Sequence, residues 1–154
     1  MTRINANIRP EHLIDQHLVA EYREIVRIPN AVLKMGPDNK RAYPKQFKLG
    51  TGHVLFFYTK IKFLHKRFLD LKQEMRNRVI ANNMEDDMFM SFKDNVKWLL
   101  HYNGIHATEL VEANALVVER IIERLGTMKR VPTINGEPID VPSYCVMLRE
   151  YYRV

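Results

Sequence analysis

A single cysteine, Cys145, in 154 residues leaves no partner for an intramolecular disulfide and no cysteine cluster for zinc. No apolar run approaches the roughly 18 residues a membrane-spanning helix needs, so the sequence argues against an integral membrane protein. Glycine and proline are sparse, at 6 and 7 residues, which excludes collagenous and low-complexity chains. The opening Met1-Thr2-Arg3-Ile4-Asn5 has no apolar signal-peptide core and predicts a protein of the reducing cytoplasm. Common enzyme signatures are missing as well: there is no phosphate-binding glycine loop, no HExxH and no GxSxG. Six histidines are present, but none stands at a zinc spacing; His101 and His106 are five apart across a glycine. No metal site is expected.

The residues that are present describe an ordinary globular chain. Hydrophobic residues make up 46% and charged residues 27%, enough for one domain, residues 1–154, with its own core. The net charge of +6 is unevenly spread. Residues 1–80 carry 16 Lys and Arg against 7 Asp and Glu, or +9; residues 81–154 carry 8 against 11, or −3. Charge runs commonly mark no more than a solvated face. A half this basic is also the footprint of a polyanion partner, and nucleic acid fits it better than a membrane surface.

Apolar periodicity predicts a compact all-α domain of three to four helices with long loops and an irregular C-terminal tail. Ile14, Leu18, Tyr22 and Ile25 share one face of a helix from about Glu11 to Arg27. Gln16, Ala20, Arg23 and Arg27 lie nearly opposite, with His17 and Glu24 at the shoulder. Val54, Phe57, Ile61, Leu64, Phe68, Leu71 and Met75 set the core stripe of a second helix over His53–Arg78. Between them Lys34–Gly52 is a basic loop punctuated by Gly36-Pro37-Asp38-Asn39 and Gly50-Thr51-Gly52. The latter reads as a tight turn, or as a phosphate seat at a helix start. A weaker pattern covers Glu85–Leu100 through Phe89, Phe92, Val96 and Leu99. A last helix from about His106 should stop at Gly126. Asn135-Gly136 suggests a short hairpin, and Tyr144, Tyr151 and Tyr152 form an aromatic end.

Two residues carry candidate chemistry. Thr2 is small enough for Met1 to be removed, which would free its α-amine. That amine has a pKa near ~7.8 against ~10.4 for lysine, so roughly one in seven is neutral at pH 7. A neutral amine can attack an electrophilic sugar carbon to give an imine. Arg3, Arg23 or Arg27 nearby would lower its pKa further and bind flanking phosphates. Glu24, between Arg23 and Arg27, is a carboxylate among cations that can stabilise a developing sugar cation and shuttle protons. The bland alternative is an i, i+3 ion pair of Glu24 with Arg27.

Met1-Thr2-Arg3-Ile4-Asn5, Asp15-Gln16-His17-Leu18 and Ala20-Glu21-Tyr22-Arg23-Glu24 together resemble the T-even phage pyrimidine-dimer DNA glycosylase and abasic-site lyase family. Ala31-Val32-Leu33-Lys34, Gly50-Thr51-Gly52-His53-Val54-Leu55-Phe56-Phe57-Tyr58 and Leu64-His65-Lys66-Arg67 extend the likeness. It covers the first half of the chain, with a thinner match over His106–Arg124. The resemblance implies a monomeric repair enzyme acting on cyclobutane pyrimidine dimers in ultraviolet-damaged double-stranded DNA, in the host cytoplasm if phage-encoded. It implies Thr2 as the amine nucleophile and Glu24 as the catalytic carboxylate. It also implies Arg3, Gln16, His17, Arg23, Arg27, Lys34 and Arg120 as DNA-binding residues, with no cofactor and no membrane partner.

The second half departs from the family pattern. Leu116 stands where a basic residue is expected one turn before Arg120, residues 80–104 do not align, and Trp98 is the only tryptophan. The tyrosine tail either stacks on distorted bases or closes the core. Two rivals follow from the residues: a basic all-α DNA-binding protein without activity, and an N-terminal-threonine amidohydrolase. Helical periodicity argues against the sheet-rich scaffold of the second.

Overall fold

The structure, a computed structural model, describes residues 2–38 and 42–154. Met1, Asn39 of the expected turn, and Lys40 and Arg41 of the basic loop lie outside the described residues. The chain is helical, as its periodicity predicts, and its helices are more numerous and shorter. They are α1 (Asp15–Glu24), α2 (Arg27–Met35), α3 (His53–Phe56), α4 (Ile61–Asn77), α5 (Asp87–Met90), α6 (Ala107–Thr127) and α7 (Val141–Tyr152). The strands β1 (Thr133–Ile134) and β2 (Glu137–Pro138) pair antiparallel around Asn135-Gly136. Both turn residues have positive φ, as the expected two-residue hairpin requires.

The first predicted helix ends early for a local reason. Pro29 has no N–H to give the Ile25 carbonyl, so the ladder breaks at Ile25–Val26 and α2 restarts with Pro29 in its first turn. The second predicted helix divides at Lys60. There the N–H groups of Ile61 and Phe63 leave the helical ladder and donate to the carbonyls of His101 (2.9 Å) and Asn103 (3.2 Å). The stripe itself holds: Ile61, Leu64, Phe68, Leu71 and Met75 are all buried. Tyr22 of α1 stacks on Phe68 of α4 at 5.4 Å.

Three expectations for the second half are corrected. Residues 85–100 form only the single-turn α5 and a 3-10 turn at Val96–Trp98, separated by Asp94 with φ 59°. Phe89, Phe92 and Trp98 are buried, whereas Val96 and Leu99 face outward. α6 runs through Gly126 to Thr127, so Gly126 is no left-handed cap. The tail contains α7, whose start is marked by Asp140 accepting from Ser143 N (3.2 Å) and by Pro142 in its first turn. Tyr144, Leu148 and Tyr152 form its buried stripe. Two of the three tail tyrosines therefore close the core, with Tyr144 Oη donating to the His12 carbonyl (2.6 Å); Tyr151 stays half-exposed.

Before α1 the chain is not a loose leader. Ile4, Asn5, Ala6 and Ile8 are as buried as any core residue. That buried N-terminal segment is what positions the site.

Candidate active site

Two facing helices contribute an ion pair to the protein interior. Glu21 of α1 and Arg67 of α4 meet through Arg67 Nε to Glu21 Oε2 (2.7 Å) and Arg67 Nη2 to Glu21 Oε1 (3.0 Å), with both side chains almost fully buried. An isolated buried charge is costly, so the remaining capacity of both groups must be filled. The N-terminal segment fills it. Asn5 donates its backbone N–H (3.2 Å) and its side-chain amide (2.8 Å) to Glu21 Oε1, and Arg67 also donates to the Ile8 carbonyl.

Two further groups pin the same segment. His53 takes a hydrogen bond from Ile4 N at Nε2 (3.0 Å) while its Nδ1 meets the Lys48 carbonyl at 2.8 Å. A carbonyl can only accept, so Nδ1 carries the proton and the ring is neutral. Burial pushes its pKa down to about 4, which agrees with that assignment. From α6, Arg120 Nη2 donates to the Ile4 carbonyl (2.9 Å) and Asn5 Oδ1 (3.1 Å). Thr2, two residues before the first of these anchors, is itself buried.

The next residue, Arg3, lines a cavity of about 260 Å³ together with Gln16, His17, Arg124, Thr127 and Met128. Its electrostatics are cationic. His17 is buried, its Nδ1 has no partner among the described residues, and burial with Arg124, Arg120 and Arg3 pushes its pKa down to about 3. Burial and Arg124 press the Arg120 guanidinium down to about 10, and Arg124 is lowered by burial and by Arg3. Glu24, half-buried, is near enough to Arg124 to oppose that lowering. No ion pair joins Glu24 to Arg27 among the described residues, so the bland alternative for Glu24 is not formed.

The structure thus brings Arg3, Gln16 and His17 to one cavity, and Arg120 near enough to His17 to help lower its pKa. Arg23, Arg27 and Lys34 are exposed on α1 and α2 and line no such cavity. Several sequence-predicted DNA contacts have other surroundings. Arg120 is committed to the N-terminal backbone, and His17 is a neutral wall rather than an exposed charge. The Gln16 amide is occupied by Val131 O (2.8 Å) and Thr133 N (3.2 Å).

Sequence reasoning missed Glu21, His53, Arg67 and Arg124. A signal existed for the first and third. Glu21 falls on the apolar stripe of Ile14, Leu18 and Ile25, and Arg67 beside Leu64 and Leu71, so opposite charges occupy two faces meant for the core. Among the described residues, no cluster of three His, Cys, Asp or Glu side chains could hold a metal ion, and no helix is long and apolar enough to cross a membrane.

A family model described as pyrimidine dimer DNA glycosylase matches residues 1–88, more than half of the chain. The matched stretch contains Thr2, Glu21, Glu24, His53 and Arg67, so it spans most of the frame around the N-terminal segment. With the match covering more than half of its length, the chain belongs to the pyrimidine dimer DNA glycosylase family.

Proposed function

We propose that the protein cleaves the 5′ glycosidic bond of cyclobutane pyrimidine dimers in duplex DNA through an imine formed by the α-amine of Thr2, and then cleaves the strand as an abasic-site lyase. The observation that carries this reading is the frame of Glu21, Arg67, His53 and Arg120 around residues 4–8. A reactive side chain gains little from a buried, four-way-braced chain terminus. A reactive terminal amine gains a fixed line of attack, since positioning at near-contact distance supplies much of a bimolecular barrier.

The steps balance within the chain's own groups and water. Once Met1 is removed, the neutral Thr2 amine attacks C1′ of the 5′ nucleotide of the dimer, and the glycosidic C1′–N bond breaks with its electron pair leaving on the base. Loss of the amine proton and opening of the sugar give the imine. Glu24, as carboxylate, stabilises the developing positive charge and then takes a proton from C2′. The C–O bond to the 3′ phosphate breaks in the elimination, and water hydrolyses the imine to return the free amine. The scheme needs no metal or organic cofactor. Like-charge repulsion from Arg3 and Arg124 favours the neutral form of a nearby amine, and both guanidinium groups offer donors to phosphate. The exposed Arg23, Arg27 and Lys34 extend that cationic surface along the DNA backbone.

Glu24→Gln tests the assignment. The variant should bind a dimer-containing duplex as the parent does and cleave the 5′ glycosidic bond of the dimer at least 100-fold more slowly, within the usual range for a general acid–base group. Parent-like turnover would remove Glu24 from the mechanism.

A further inference from the structure

Beyond α6 the chain carries an exposed arm, Lys129–Val131, that leads into a segment fastened to the fold. Its backbone is fastened to the first turn of α1. Gln16 binds Val131 O and Thr133 N. Asp15 accepts Thr133 Oγ1 (2.6 Å) and Gly136 N (2.9 Å) at Oδ2, and Asn135 N (3.1 Å) at Oδ1. Asp15 is held in turn by the buried Arg78 guanidinium at 2.9 Å. These bonds, with burial opposing them, keep the Asp15 carboxyl below the ordinary carboxylate range, so the fastening persists at neutral pH.

The side chains of the arm are treated differently. Val131 is 63% exposed, and Lys129 and Arg130 before it are exposed too. Neither cation has a hydrogen bond or ion pair among the described residues. Flexible loops display aliphatic side chains at little consequence, but the carbonyl of this one is held by Gln16, and four further bonds from Asp15 and Gln16 fasten Thr133–Gly136 just beyond it. It follows Thr127 and Met128, which line the cavity with Arg3 and Arg124, and its carbonyl binds Gln16 of the same cavity.

A surface that covers an aliphatic side chain next to two unpaired cations, continuous with two cavity arginines, must itself be apolar and anionic. Duplex DNA offers both, with base and deoxyribose faces between rows of phosphate. We infer that Lys129–Val131 is a DNA-contacting arm: Lys129 and Arg130 neutralise phosphates flanking the lesion, and Val131 packs against the base or sugar unstacked beside it, as apolar wedges do at kinked steps. This rests on the proposed function, because it places the duplex at the cavity of Arg3 and Arg124.

The test measures duplex binding by the full chain, its Lys129→Ala/Arg130→Ala variant and its Val131→Ser variant. Each neutralised phosphate contributes about 0.9 to the slope of log K against log salt concentration. The double variant should lower that slope by about 2 for damaged and undamaged duplex alike. Val131→Ser should keep the slope and reduce the preference for a dimer-containing duplex over an undamaged one at least threefold. The urea midpoint of each variant checks folding, and the salt slope of the double variant decides alone should Val131→Ser be unstable. A parent-like slope and preference in both variants would overturn the arm. Failure of the parent chain to cleave the 5′ glycosidic bond or the strand of the dimer duplex would instead overturn the functional reading on which the arm rests.

Discussion

Glu21 and Glu24 sit three residues apart on α1 and have opposite surroundings. Glu21 is enclosed, with Arg67 and Asn5 consuming its acceptor capacity; Glu24 is half-buried near Arg124 with no ion pair to Arg27. The first is a positioning residue and the second is proposed to act on substrate. Removing one partner of a buried pair leaves the other charged and unsolvated, at a cost of roughly 3–5 kcal/mol. Arg67→Met should therefore lower unfolding stability by about that amount in urea titration. It should also reduce imine formation, because Ile8 and Glu21 both lose their anchor. Replacing the pair together, Glu21→Leu with Arg67→Met, should recover much of the stability and not the imine, since Asn5 then has no acceptor. Recovery of both would show that the pair serves folding alone.

At the scale of elements, the N-terminal segment behaves as one unit, and His53 links it to pH. The folded state keeps the His53 imidazole neutral, with its pKa pushed down to about 4 by burial, whereas an unfolded chain protonates near 6.5. The unfolded state thus binds more protons over that interval, and stability falls as pH drops from about 6.5 toward 4. His17, pushed down to about 3, adds in the same direction. Protonation of His53 Nε2 also abolishes the acceptor for Ile4 N. In His53→Gln, where an amide accepts from Ile4 and donates to Lys48, the urea midpoint should fall less between pH 6.5 and 5 than in the parent. Equal slopes would mean that His53 does not set this dependence.

The same elements mark what could be read from residues alone. Stripes such as Leu64, Phe68 and Leu71 repeat within a single helix, and so the helical class and the face of α4 follow from spacing. The breaks depend on partners distant in sequence. Ile61 leaves its ladder for His101, forty residues on, and no local pattern announces that. α7 is different: Asp140, Pro142 and Ser143 spelled a helix start, but three prolines over 132–142 suggested an irregular tail. At the site, the family motifs pointed to Thr2 and Glu24, whereas the commitment of Arg120 to Ile4 and Asn5 spans 116 and 115 residues and required the folded chain.

Across the whole molecule, the basic half and the acidic half divide the task. The first carries Thr2, Arg3, Glu24 and the exposed Arg23, Arg27 and Lys34. The second supplies Arg120, which holds Ile4, and Arg124, which lines the cavity with Arg3. The +9 and −3 halves therefore meet at a cationic cavity with the chain's first residues at its edge. That arrangement makes the identity of the nucleophile the central claim. The direct measurement is borohydride reduction of the protein on a duplex carrying one cyclobutane thymine dimer, with the intact mass first showing Met1 removed. The account predicts a covalent protein–DNA adduct whose peptide map places the bond at the α-amine of Thr2. An adduct at a lysine side chain, or none from protein that binds the duplex, would contradict it.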